Sequence, residues 1–337
     1  MNESRPVGMR DVAKIAGVSH QTVSRVINTP GLVQPQTRDR VLQVIEMLNY
    51  RPHAAARALS VRRSGTIGVL DSGSQIHGQA IMLQTVETAA RRHGFATSVA
   101  AVAQGTPTVI KEAFQHLLDK GVEGIVIMGN TAQLASAAER VSSSVPVAMV
   151  TSSAPEYSTV LRVGVDSEGG ARSVVRHLAA NGRTRIAHIS GPGGWLDAQA
   201  RAAGWRAELA LLGLPAQDPV EGDWLPKAGY SAAKELLDRG GIDAIFVAND
   251  HMAMGALRAI SDAGLRVPED VAVAGFDDLV GTDFLKPSLT TVHQPFEEVG
   301  EVCIASLLSA IAGKDVDNVL LDAELVIRES TGLPAPT

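Results

Sequence analysis

MRDVAKIAGVSHQTVSRVIN, residues 9–28, decides how the first part of this chain folds. It reads as two short helices joined by a tight turn. Val12, Ile15 and Ala16 form the apolar face of the first helix, Gly17 supplies the turn, and Val18 plugs it. Ser19 is placed to cap the second helix, because its hydroxyl can accept an otherwise orphan backbone N–H. On that helix Val23, Val26 and Ile27 share one side; Gln21, Arg25 and Asn28 share the other. The exposed side therefore carries amide and guanidinium groups, the types that hydrogen-bond base edges in a DNA major groove. The pattern predicts a helix-turn-helix with residues 19–28 as recognition helix. An ordinary helical hairpin with a solvated polar face is the competing reading.

The flanking sequence shifts that balance. From Pro35 to Leu48 a third amphipathic segment puts Val41, Val44, Ile45 and Leu48 on one face, which closes a three-helix unit. NYRP (49–52) and HAAARALS (53–60) follow. Pro52 suits the first position of a helix and the Ala run favours one. Two turns are nevertheless too few to be helical alone in water, so the segment is a linker unless a twin or DNA supports it.

AGVSHQTVSRVIN and NYRPHAAARAL, with VANDHMAMGALRAI and VAGFDD further on, resemble the LacI/GalR family of bacterial transcription regulators over nearly the whole chain. The resemblance implies that Ser19, His20, Gln21, Thr22, Ser24, Arg25 and Asn28 meet operator DNA. It implies that residues 50–63 form a hinge helix in the minor groove. Ala56 would contact DNA there, and Leu59 would wedge into a base step and kink the duplex. His20 stands where a similar member of the family has Tyr, so the operator sequence need not be shared.

Charge is consistent with this. The 337-residue chain has a net charge of −6, but residues 1–63 carry ten Lys/Arg against four Asp/Glu, a local +6, and the remainder carries −12. A basic head on an acidic body suggests that only the head meets a polyanion. Apolar residues make up 45% of the chain and aromatics only 4%, so its two or three cores must be built from Ala, Val, Leu and Ile. The single Cys303 rules out an intrachain disulfide and suits a reducing cytoplasm. The N-terminus lacks the apolar run of a signal peptide, and no stretch reaches membrane-spanning length, so neither secretion nor membrane contact is expected.

From Thr66 short apolar strands alternate with helices: IGVL, SVAAV, GIVIM and VAMV, then a restart through IAHIS, AIFVA and VAVAG. Such alternation means parallel sheets with right-handed crossovers, and the restart suggests two similar lobes. The expected fold is α/β, an all-α helix-turn-helix head plus a two-lobed body with parallel sheets. The family resemblance implies a periplasmic-binding-protein-like body. The expected division is 1–49 head, 50–63 hinge and 64–337 body. Lobe one would take about 64–163 and 294–323, and lobe two about 164–293 and 324–337.

Enzyme signatures are missing. There is no HExxH and no P-loop, and Gly191-Pro192-Gly193-Gly194 fails as a dinucleotide loop because Leu196 occupies the third glycine position. Asp277 and Asp278 are adjacent and point apart, unlike a glycosidase pair. No cofactor and no metal are expected. Polar residues do follow the strand ends, where α/β folds bind ligands: Ser72 after IGVL, Asn249 after AIFVA, Asp277 after VAVAG. Arg201 starts a helix after the Gly-rich turn, and Trp224 lies in the loop GDW.

By resemblance, Arg201, Asn249 and Asp277 hydrogen-bond effector hydroxyls and Trp224 lies under a sugar ring. Gln294 and Phe296 belong to the cleft crossing, Ile76 and Met82 to an apolar wall, and Ser72 and Asp197 complete the set. Trp224 could also be simple core. Met128 and Thr151 replace polar residues of that similar member, which makes the first-lobe side less polar. The expectation is a cytoplasmic, dimeric, sugar-controlled repressor binding double-stranded operator DNA. The chain carries no appended leucine heptad that would raise the dimer to a tetramer. A sugar-binding transport receptor is the alternative, and would need a signal peptide and no basic head. A sugar-processing enzyme is more remote.

Overall fold

The computed structural model describes residues 7–50, 63–72, 77–102, 105–129, 131–153 and 158–332, which fall into two units, one ending at Gly65 and one starting at Thr66. In the first, α1 (Met9–Ala16), α2 (His20–Asn28) and α3 (Pro35–Met47) bury Val12, Ala13, Ala16, Val23, Val26, Val41 and Val44 together with Tyr50. Gly17 ends α1 in the left-handed conformation at φ 64°, which a side chain would strain, and its N–H bonds the Ala13 carbonyl. Ser19 then caps α2, its Oγ accepting from Thr22 N at 3.1 Å. One core assignment changes: Ile15 is 51% exposed, and Ala13 takes the inward position beside Val12 and Ala16. The hinge positions Ala56 and Leu59 lie outside the described residues.

The second unit holds two lobes. Strands β1 (Thr66–Asp71), β2 (Ala96–Ala101), β3 (Gly124–Met128), β4 (Val147–Val150), β5 (Leu161–Val165) and β11 (Val319–Leu321) form a parallel sheet in the order β11-β5-β4-β3-β1-β2. Helices α4 (His77–Arg92), α5 (Pro107–Asp119), α6 (Ala132–Val141) and α11 (Phe296–Ile311) cover it. The second lobe has β6 (Ile186–Ser190), β7 (Val220–Glu221), β8 (Ala244–Val247) and β9 (Ala272–Ala274), parallel in the order β7-β6-β8-β9. It is flanked by α7 (Ser167–Ala180), α8 (Leu196–Leu211), α9 (Pro226–Arg239) and α10 (Asp250–Asp262). A short ladder pairs β10 (Thr291–His293) with β12 (Glu324–Val326), antiparallel.

The chain passes between lobes three times, after β5, after β10 and after β11. Strand β11 arrives more than 150 residues after its neighbour β5 yet pairs with it in register, Val319 beside Val163. That return stitches the late chain into the first lobe. The carboxyl ends of both sheets face the space between lobes, which is where a doubly wound architecture places its ligands.

Candidate functional site

That space is a cavity of about 110 Å³, several times the ~10–15 Å³ that one water needs, so it accommodates a small molecule. Of the ten residues expected around an effector, eight line it: Met82, Asp197, Arg201, Trp224, Asn249, Asp277, Gln294 and Phe296. Ile76 lies outside the described residues. Ser72 is a correction: it sits behind the cavity, its N–H bonded to the Met128 carbonyl at 2.9 Å and its hydroxyl donating to Gln79 Oε1 at 3.0 Å. It positions Gln79, which does line the cavity.

Arg201 and Asp277 form the charged centre. Asp277 follows β9 in a left-handed conformation, φ 116°, and Arg201 reaches it from the second turn of α8. Arg201 Nη1 lies 3.5 Å from Asp277 Oδ1 and donates to the Ala248 carbonyl. Its guanidinium stacks 3.8 Å from the Phe276 ring centroid. Gln294 Nε2 donates to the same Asp277 oxygen at 2.6 Å. Burial pushes the Asp277 carboxyl above its usual range; Arg201 and the Gln294 hydrogen bond pull it back, and Asp197 pushes it up again. Arg201 Nε remains buried without a hydrogen-bond partner, and so does Trp224 Nε1. Two buried donors left open beside a cavity are costly unless something fills it.

Asn249, which lines the cavity as expected, also has partners in the protein. Its Oδ1 accepts from Met252 N at 3.0 Å, capping α10, while its Nδ2 donates to the Trp224 carbonyl at 3.1 Å. The amide thus spends both ends on the protein and pins Trp224, whose backbone sits at φ 75°. The indole also lies directly on Gly191, where an added Cβ would come within 2.1 Å of it. The Gly-rich turn that fails as a dinucleotide loop is therefore a seat for Trp224. Trp195 meets Trp224 edge-on, centroids 5.8 Å apart.

Trp195, Gln79, Val150, Val165 and Val299 also line the cavity and were not anticipated. Val150 and Val165 end strands β4 and β5; Val150 closes a strand already read from the sequence, whereas Val165 could be placed only once β5 was recognised. Trp195 carried a weaker signal, an aromatic directly after the glycines. Its place depends on a bridge to Thr131 of the other lobe.

On the head, Ser19, His20, Gln21 and Arg25 are exposed, while Thr22 and Ser24 are half-buried. Ser19 and Thr22 hydroxyls bond each other at 2.9 Å, so both serve the cap. Asn28 closes α2. Among the described residues no cluster of His, Cys, Asp or Glu could hold a metal, and no helix is long and apolar enough to cross a membrane.

A helix-turn-helix unit and a two-lobed body with a cavity at its strand ends define a class: ligand-responsive DNA-binding regulators. Residues 8–53 match the family described as bacterial regulatory proteins, lacI family, and residues 175–331 match a periplasmic binding protein-like domain. The chain is 34% identical to the lactose operon repressor of Escherichia coli K12, over 98% of this chain and 92% of that one. It is also 34% identical to the transcriptional repressor PurR of Mannheimia succiniciproducens, over 96% and 98% of the respective chains. A crystal structure of the lac repressor dimer bound to operator and the anti-inducer ONPF superposes with a TM-score of 0.90. It is 34% identical and covers 98% of this chain and all of that one. The chain belongs to the lacI family of bacterial regulatory proteins. It is a DNA-binding transcriptional regulator and not an enzyme.

Proposed function

We propose that this regulator is a dimeric repressor, acting in the cytoplasm, whose grip on operator DNA is released by a sugar bound between the lobes. Residues 1–49 form the head and 50–63 the hinge. The body runs from residue 64, with lobe one taking about 64–163 and 294–323 and lobe two the rest. Each head lays α2 in a major groove, with Gln21 and Arg25 reaching base edges and Ser19, His20, Thr22, Ser24 and Asn28 alongside. Ala56 and Leu59 keep the minor-groove role that the family resemblance gives them. The relatives support the dimer, since the similar repressor is a dimer on its operator.

One observation carries the effector reading. Arg201 and Asp277 are prepaired at the floor of a buried cavity, with Arg201 Nε and Trp224 Nε1 unsatisfied beside them. Adjacent sugar hydroxyls can accept from Arg201 and donate to Asp277 while the apolar face of the ring lies on Trp224. Losing one such charged hydrogen bond costs about 1.5–3 kcal/mol, roughly ten- to a hundredfold in affinity. Arg201→Ala and Asp277→Asn should therefore bind operator normally yet release it only at correspondingly higher sugar. The assay titrates sugar into a fluorescent complex with a duplex selected from a random pool. Unchanged release midpoints for both variants would move the effector site elsewhere.

A further inference from the structure

The cavity has two walls of opposite chemistry. The second-lobe wall ends in the unsatisfied donors Arg201 Nε and Trp224 Nε1 and the Asp277 carboxylate. The first-lobe wall is carbon: Met82, Met128, Val150, Val165 and Val299. Thr151 is the one hydroxyl side chain lining that side among the described residues, and it is occupied. Its single O–H has two acceptors in reach, the Ser153 carbonyl at 2.9 Å and Asp197 Oδ1 at 3.2 Å, and its oxygen accepts from Ser153 N at 3.2 Å. Gln79 Oε1 already accepts from Ser72. A ligand hydroxyl turned to Met128, Val150 and Val165 would give up water for carbon and thioether surface.

A pyranose cannot present all its edges to the second lobe. If two neighbouring ring hydroxyls, those on C2 and C3, meet Arg201 and Asp277, then C5 and its substituent lie across the ring against the carbon wall. Resting on the sugar-effector reading above, we infer that the effector is a monosaccharide without a hydroxymethyl hydroxyl: a 6-deoxyhexose, or a pentopyranose that lacks the exocyclic carbon. In the first a methyl group packs among Met128, Val150 and Val165. In the second the ring CH₂ does so.

Trp195 and Trp224 line the site, while Trp205 is fully buried in the second-lobe core, so intrinsic fluorescence of the full-length protein reports occupancy. Titrations would use D-galactose, D-glucose and D-mannose, each beside its 6-deoxy counterpart and the pentose of the same ring stereochemistry. In the series that binds, the member without the hydroxyl should bind about ten- to a hundredfold tighter than its parent hexose, the range over which an apolar pocket discriminates such pairs. Met128→Asn, which puts an amide on the carbon wall, should shrink that ratio. Should the variant not fold, the wild-type series decides alone. A parent hexose binding as tightly as its deoxy relative, or tighter, overturns the inference and leaves the sugar-effector reading standing. No fluorescence or operator-release response to any of the nine sugars overturns both.

Discussion

Asp250 is wholly buried and hydrogen-bonded only by neutral groups: Oδ1 accepts from the Thr291 hydroxyl at 2.7 Å, Oδ2 from Leu279 N at 2.9 Å. Burial, then the charge of Asp277, raises its carboxyl far above the usual range; the two hydrogen bonds offset this only in part. Asp277 is raised by burial as well. A carboxyl raised in the fold holds its proton where the unfolded chain has lost it, so the native state binds more protons. The stability linked to these groups is thus present at acidic pH and declines as pH climbs through their raised values. Asp250→Asn keeps an oxygen for Leu279 N and offers an amide N–H to Thr291. We expect the body of the wild type to lose thermal stability between mildly acidic and mildly alkaline buffer, and the variant to lose less of it. A scanning fluorimetry series in which both chains decline in parallel would refute the assignment. Asp277 itself was legible in the sequence as a polar residue after a strand. Its left-handed backbone was not, nor were those of Trp224 and Asp278, because strain is set by what the surrounding fold forces on a residue.

At the scale of elements, legibility followed periodicity. In α2 the 3.6-residue repeat and the Ser19 cap appear in the sequence, so the recognition helix could be placed. Arg25 and Ser19 on that element should separate cleanly. Arg25 is exposed and free of the head core, so Arg25→Ala should cost roughly 1–3 kcal/mol of operator binding and leave thermal unfolding unchanged. Ser19→Ala removes the acceptor for Thr22 N and should cost about 1 kcal/mol of helix stability along with DNA affinity. Anisotropy titration and thermal circular dichroism would distinguish them; equal unfolding of the two variants would mean Ser19 is no cap. Elements without a strong repeat escaped. The segment that forms α6, AQLASAAERV, has four Ala and only two branched apolar residues among its ten. Its one sharp cue was Thr131, whose Oγ1 accepts from Leu134 N at 3.3 Å. In β5, LRVGV, a charge and a glycine interrupt the apolar run, and its full pairing needs β11 from the far end of the chain. No local window contains that partner, and without β5 the Val165 side of the cavity could not be placed.

The whole molecule must link a ligand between lobes to DNA held by two heads. Both lobes grip one another across the cavity: Asp197 of α8 accepts from Ser152 N at 2.8 Å and Ser152 Oγ at 2.7 Å, and Gln294, in the crossing segment after β10, donates to Asp277. If a sugar seated there releases operator, as proposed, the coupling is reciprocal: operator DNA must weaken the sugar as much as the sugar weakens DNA. Such control acts on operator affinity only if two bodies pair, since each head reads one half-site. The second lobe offers a surface for that pairing. Val280 and Phe284, on one short loop after β9, are 90% and 86% exposed, an arrangement that water disfavours and a partner would cover. In a two-fold dimer every such residue counts twice, so one substitution places two charges in the interface. Phe284→Asp should sediment as a monomer at concentrations where the wild type is a dimer, and its operator affinity should fall with the second half-site contact. Phe284 is not among the residues lining the cavity, so the tryptophan response to sugar should survive. A Phe284→Asp protein that stays dimeric with full operator affinity would place the pairing surface elsewhere, and loss of the sugar response as well would mean the loop supports the lobe itself.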